Sequence, residues 1–203
     1  MTGPTMEFEE RYAELGVVAG VDEAGRGPLA GPVTVAAAIL LPGHVDPGVN
    51  DSKKLTEKRR ESLFAELKDL ETVRWAVVHV APEEIDQVNI LQATYLGMER
   101  ASRQLEPDFC LIDGRPVPNF WCPHEGLVKG DGRSLSIATA SIFAKVTRDR
   151  FMIDAAKKYP GYGFEKHKGY GTKAHLDALA NLGPCPLHRR SFGPVAQLAL
   201  PLA

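Results

Sequence analysis

Short apolar runs bounded by glycine, proline and acidic residues recur along the chain, and each reads as a buried strand. Residues 17–22 (VVAGVD) and 34–40 (TVAAAIL) form a first pair, joined by a connection rich in Gly and Pro. VRWAVVHV (73–80), DFCLIDG (108–114) and EGLVKGD (125–131) supply three more. Between them the spacing turns helical. Thr56 opens EKRRESLFAELKDL, which lines Leu63, Phe64, Leu67 and Leu70 along one face. Residues 82–105 and 134–158 predict two longer helices, the second stopped by Tyr159-Pro160. A glycine-rich loop, GYGFEKHKGYGT, leads into the short helix KAHLDALANL, which Gly183 ends. This order of strands and helices predicts an α/β domain whose mixed sheet is covered by helices.

Composition narrows the picture only a little. The 203 residues suffice for one domain with a sizeable core, and 44% hydrophobic with 25% charged residues is ordinary for a globular chain. The net charge of -2 does not announce a nucleic-acid partner, but its distribution is uneven. Glu7, Glu9 and Glu10 stand in the first ten residues without a base. Residues 157–190 hold seven Lys and Arg against Glu165 and Asp177. That basic final third suggests an anionic surface contact, although a solvated basic face would read the same. MTGPTMEFEE has neither a basic start nor an apolar centre, so no signal peptide is expected. The apolar run around Val33–Leu41 is too short to span a membrane. Three cysteines, Cys110, Cys122 and Cys185, form no CxxC pair, and the expectation is a cytoplasmic chain. Cys122-x-His124 and Cys185-x-x-His188 could supply zinc ligands, but both depart from the common spacings.

The candidate chemistry lies in the acids. Asp22-Glu23, Asp113 and Asp131 each close an apolar run, and ligand sites in α/β sheets gather at the carboxyl ends of strands. Strands lying side by side would bring four carboxylates to one edge, where they would repel unless a cation neutralised them. Oxygen-only ligands favour Mg²⁺ or Mn²⁺ over zinc. Taken singly, each acid could instead end a strand or cap a helix. GRGPLAG has glycines at Gly25, Gly27 and Gly31, a GxGxxxG spacing followed by a strand, which excludes a dinucleotide loop. Its glycines read either as a tight turn or as backbone brought close to a ligand, with Arg26 held between them.

GVDEAGRGPLAGPV, NDSKKLT, LIDG, VKGD followed by SIATASIFAKVTRD, YGFEKHKGYGT and HRRSF stand in the order found in bacterial ribonuclease HII. The chain resembles that family from about residue 17 to 195. The resemblance implies a ribonuclease H-like three-layer fold: a five-stranded mixed sheet flanked by helices, with a small helical C-terminal extension. On this basis residues 1–16 are expected as a tail, 17–183 as the catalytic domain and 184–203 as an extension on or near the substrate groove. It also implies an endonuclease that hydrolyses the RNA strand of RNA–DNA hybrids and cuts 5′ of single ribonucleotides in duplex DNA. The expected ends are 3′-hydroxyl and 5′-phosphate.

The family's acidic set falls on Asp22, Glu23, Asp113 and Asp131, with two divalent ions, Mg²⁺ or Mn²⁺, roughly 4 Å apart. Its ribonucleotide-reading element falls on Gly25, Arg26 and Gly27, and its tyrosine on Tyr170. The 2′-hydroxyl both donates and accepts, so backbone groups and a phenol can read it together. Asp51, Ser52 and Lys53, the cluster Lys166, His167 and Lys168, and Arg189 with Arg190 are expected to hold phosphates. Lys145 and Asp149, four apart on a helix, are expected as a structural pair. A monomer without an obligate protein partner is expected. A metal-dependent phosphatase or phosphotransferase using the same acids on a small ester stays open as the alternative, as does a non-catalytic nucleic-acid-binding module.

Overall fold

The computed structural model describes residues 3–44 and 46–198. Five strands, β1 (Val18–Ala24), β2 (Val33–Leu40), β3 (Val73–Val80), β4 (Phe109–Asp113) and β5 (His124–Leu127), form one sheet in the order β3-β2-β1-β4-β5. β1 runs antiparallel to β2, and β2 to β3. β1, β4 and β5 run parallel. The sheet is therefore mixed, as the order of strands and helices predicts.

Among the described residues seven helices accompany it: α1 (Glu7–Arg11), α2 (Glu57–Leu67), α3 (Pro82–Arg103), α4 (Leu135–Lys158), α5 (Phe164–His167), α6 (Lys173–Leu182) and α7 (Gly193–Leu198). Every residue of β2 is buried because both faces of the sheet are covered. Ala36, Ala38 and Leu40 meet Leu63, Phe64 and Leu67 of α2 and Ile142 and Phe143 of α4. The alternate positions Val35, Ala37 and Ile39 share the other core with Met98 and Ala101 of α3. Burial of each such Leu, Ile or Phe side chain contributes roughly 1.5–3 kcal/mol. Gly20 lets α4 come unusually close to β1, since a Cβ there would lie 2.2 Å from Ile137 N. Ser134 caps α4, its Oγ accepting the Ile137 N–H at 3.2 Å.

Four segments differ from the sequence-based expectation. The fifth strand stops at Leu127. Lys129 takes a left-handed conformation (φ 58°) and residues 130–132 form a 3₁₀ turn, so Asp131 lies in that turn rather than at a strand end. The segment 82–105 is two helical pieces, because Asn89 (φ 69°) breaks the helix and its Oδ1 accepts the Leu91 and Gln92 N–H groups. The glycine-rich loop contains the single turn α5. The stretch 1–16, expected as a tail, folds where it is described: Phe8 packs with Val18, Phe109, Leu111, Leu127 and Ile137. At the other end Val195 of α7 packs with Leu29 and Leu179, while residues 199–203 of the expected extension lie outside the described residues.

Candidate active site

Parallel pairing of β1 with β4 matches Val21 to Ile112, which brings the next residues, Asp22 and Asp113, side by side at the strand ends. The 3₁₀ turn after β5 swings Asp131 toward them. Carboxylate oxygens of Asp22, Asp113 and Asp131 all lie within 4.8 Å of one another, the one such metal-ligand group among the described residues. Asp113 Oδ1 accepts the Gly130 N–H at 2.7 Å, tying the turn to β4. Asp22 Oδ1 accepts the Glu23 N–H at 2.7 Å. Glu23 follows on the opposite side of the pleat and stands outside this set, with Oε1 3.5 Å from Arg26 Nη1.

Crowding shows in the ionisation of these groups. Burial, then the charges of Glu23 and Asp113, push Asp22 well above the ordinary carboxylate range, against a hydrogen bond from Ser141. Burial, then Asp113 and Asp51, raise Asp131. Burial also raises Glu23, opposed by Arg26. Partial burial lowers the Lys53 amine, but Asp131, Asp22, Asp51 and Asp113 outweigh it and hold it above its usual value. Three buried or half-buried carboxylates with oxygen donors only are a fit for a hard divalent cation.

Beside the aspartates opens a cleft of about 220 Å³ lined by Glu23, Gly25, Arg26, Gly27, Lys53 and Tyr170, with Ser141, Lys145 and Arg148 of α4 behind. Tyr170 is 46% exposed, and its ring edge lies beside Gly27, where a Cβ would come to 3.7 Å. Gly25 has φ +93°, and its missing Cβ leaves room inward, for Arg148, whose Nε would otherwise be 1.9 Å away. Of the two readings of these glycines, Gly25 is needed by the interior and Gly27 faces the cleft.

The residues expected to hold phosphates divide. Lys53 Nζ stands 3.5 Å from Asp131 Oδ2, at the mouth of the acidic cluster. Asp51 accepts the Lys53 N–H at 2.9 Å and shapes that loop. Lys166 is exposed and Lys168 is half-buried, with its amine on Glu165 O. Arg190 is exposed, and its backbone N–H is held by Asp86 at 2.8 Å. His167 is engaged at both ring nitrogens, by Tyr162 O and the Gly169 N–H. Two are corrected. Ser52 is buried, its hydroxyl spent on Ser141 Oγ at 2.7 Å. Arg189 is fully buried, and its guanidinium bonds three carbonyls, which takes it away from any phosphate.

Sequence reasoning missed Ser141 and Arg148 and took Lys145 only as a structural partner. Lys145 does pair with Asp149, at 2.7 Å, while lining the cleft. Ser141, Lys145 and Arg148 are spaced four and three apart on α4, which puts them on one face of the helix. Cys122 meets Cys110 at 3.5 Å rather than a metal-ligand group.

A mixed sheet in this strand order, with aspartates converging at the ends of its parallel strands, defines an enzyme of the ribonuclease H-like fold. The family model described as ribonuclease HII matches residues 19–195, and the chain belongs to that family. A ribonuclease HII of Cereibacter sphaeroides is 57% identical over 183 residues, covering 88% of this chain and 84% of that protein. Another, of Rhizorhabdus wittichii, is 52% identical and covers 98% of both. Among solved structures, the ribonuclease H2 of Pyrococcus horikoshii superposes with a TM-score of 0.74 at 29% identity, covering 90% of this chain and 96% of that one. The protein is thus a nuclease of the hydrolase class. Among the described residues no helix is long and apolar enough to cross a membrane.

Proposed function

We propose that this chain is an endoribonuclease that hydrolyses the RNA strand of RNA–DNA hybrids and cuts on the 5′ side of single ribonucleotides embedded in duplex DNA. One observation carries the reading: the three-aspartate cluster adjoins a cleft that presents Gly25–Gly27 backbone and the exposed Tyr170 together. Asp22, Asp113 and Asp131, joined by Glu23, would hold Mg²⁺ or Mn²⁺. Two such ions, when bound, supply an activated water and neutralise charge on the scissile phosphate, leaving 3′-hydroxyl and 5′-phosphate ends.

The chain's own residues do the rest. Asp22, next to Glu23 and across from Asp113, would share with them the holding of the ions. Lys53 stands beside the cluster as a cation for the scissile or adjacent phosphate. Arg26, paired with Glu23, keeps that carboxylate oriented toward the cleft. The backbone N–H groups of Arg26 and Gly27 and the Tyr170 hydroxyl surround the 2′-OH. A deoxyribose leaves them unpaired, which penalises the wrong sugar. Lys166 and Arg190 lie farther along the basic third, suited to positioning the duplex without reading its sequence.

The test uses a DNA duplex with one embedded ribonucleotide, a long hybrid and an all-DNA duplex, with Mg²⁺ or Mn²⁺. The wild type should cut the first two and spare the third, and Asp22→Asn should lower turnover by at least about 100-fold. Failure of folded wild type to cut either ribonucleotide-containing substrate would refute the assignment and bring small phosphate esters forward.

A further inference from the structure

Two buried cations underlie the glycine-arginine loop. Arg189 donates from Nε to Gly31 O (2.9 Å), from Nη1 to Arg26 O (2.9 Å) and from Nη2 to Gly25 O (2.6 Å). Arg148, on α4, donates to Pro32 O, Lys168 O and Ala30 O at 3.0–3.1 Å. Neither guanidinium forms an ion pair among the described residues. Burial pushes Arg189 down to about 9 and Arg148 down to about 10, so both stay charged at neutral pH. Burying a cation without a counter-ion is costly. Each burial is offset by hydrogen bonds to three carbonyls, so what these groups contribute beyond packing is the placement of those carbonyls.

Their geometry says what that placement does. A trans peptide sets its C=O and its N–H on opposite sides, and no peptide here is cis. Drawing Gly25 O and Arg26 O inward onto one guanidinium therefore turns the Arg26 and Gly27 N–H groups outward. Outward is the cleft that both residues line. Neither N–H donates to another protein atom among the described residues. The guanidinium is itself fixed: the Arg189 N–H donates to Leu29 O at 2.9 Å and the Gly31 N–H to Leu187 O at 2.8 Å, stitching segment 187–189 to 29–31 as a short antiparallel bridge.

We infer that Arg189 is a positioning residue for ribose recognition: by holding the Gly25 and Arg26 carbonyls inward, it aims two backbone donors at the sugar that occupies the cleft. The inference rests on the ribonucleotide reading above and adds the part that sets its selectivity. The fork geometry of a guanidinium is essential, because a lysine ammonium cannot span three carbonyls in one plane.

The experiment measures binding in the Asp22→Asn background, which removes turnover. Fluorescence anisotropy compares two duplexes that differ by a single 2′-OH. The background protein is expected to prefer the ribonucleotide duplex by about tenfold. Adding Arg189→Lys should remove most of that preference and leave affinity for the all-DNA duplex unchanged, a split that general loosening of the fold would not produce. A preference that survives Arg189→Lys overturns the inference and leaves the ribonucleotide reading standing. No preference in the background protein overturns both. Should Arg189→Lys fail to fold, ¹⁵N spectra of the Asp22→Asn protein decide. The Arg26 and Gly27 amides must shift with the ribonucleotide duplex far more than with its deoxy counterpart, and equal shifts overturn the inference.

Discussion

Asp22 is a buried carboxylate with a second acid next to it and a third across the strand pair, which gives its removal a distinctive signature. Its folded pKa lies above the ordinary value near 3.9. In the absence of a divalent ion, its contribution to stability is therefore present below that ordinary value and lost as pH rises through the folded value. Asp22→Asn keeps the shape and discards the charge, so in chelator the variant should melt above wild type. A gain of 1 kcal/mol corresponds to about 2–4 °C in a chain of this length. Excess Mn²⁺ should raise the wild-type midpoint and reverse the order. Scanning fluorimetry with and without chelator reads both, and a variant melting below wild type in chelator would remove the repulsion argument. At this scale Asp22 and Asp113 were legible because each closes an apolar run. Arg189 and Arg190 were not separable: adjacent arginines in a basic stretch look alike until burial assigns one inward and one outward.

Among the elements, the least legible is the glycine-rich loop with the segment that follows it, read from its lysines and arginines as a basic surface. Instead His175 and His188 are buried, and their protons are fixed by their partners. His188 Nδ1 accepts the Cys185 N–H (3.0 Å), so His188 Nε2 carries the proton and donates it to His175 Nε2 (3.1 Å). His175 Nδ1 then donates to Tyr170 O (2.9 Å). This relay holds α6 and the C-terminal segment to the tyrosine of the cleft, and it requires both rings neutral. Burial, then the neighbouring His175, lower His188 to about 4, and burial lowers His175. A folded pKa below the unfolded value near 6.5 means that stability is complete above 6.5 and is lost as pH falls toward 4. The melting temperature should drop over that interval by about 5 °C or more. His188→Asn, which offers one acceptor and one donor, should flatten the drop; an unchanged profile would show that the dyad does not set it. The loop's periodicity could not announce the relay, since its contacts join residues thirteen apart through tertiary packing. Asn89 escaped for a different reason: a single left-handed residue interrupts α3 without altering the apolar spacing around it.

On the scale of the whole molecule, the site follows from topology. β1, β4 and β5 run parallel in the half of the sheet farthest from β3, so their carboxyl ends share one edge, as the acids closing three apolar runs would require if those strands lay side by side. What it could not show is how the face over β4 and β5 is closed, because α4 lies chiefly over β1 and β2 and the five residues of α1 are too few for a periodic pattern. The N-terminal segment covers that face. Phe8 packs on Phe109 and Leu111, Tyr12 stacks on Phe109 at 4.0 Å, and its hydroxyl meets Glu125 Oε2 at 2.5 Å. Glu9 anchors the arrangement. Buried at 5% exposure, its Oε1 accepts Ser134 Oγ–H (2.6 Å), Ser136 Oγ–H (2.6 Å) and Ser136 N–H (2.8 Å), at the α4 terminus where unpaired donors and the helix dipole favour an anion. Glu9→Ala would strand three buried donors at about 1–3 kcal/mol each and should lower the melting temperature by about 6 °C or more. Glu9→Gln keeps the Oε1 acceptor and should lose less than half as much. Both variants should cut ribonucleotide-containing duplexes at wild-type rates well below their transitions, since α1 borders the sheet rather than the aspartates. A Glu9→Ala protein as stable as wild type would make the N-terminal segment a dispensable appendage after all, and thermal denaturation of the two variants decides it.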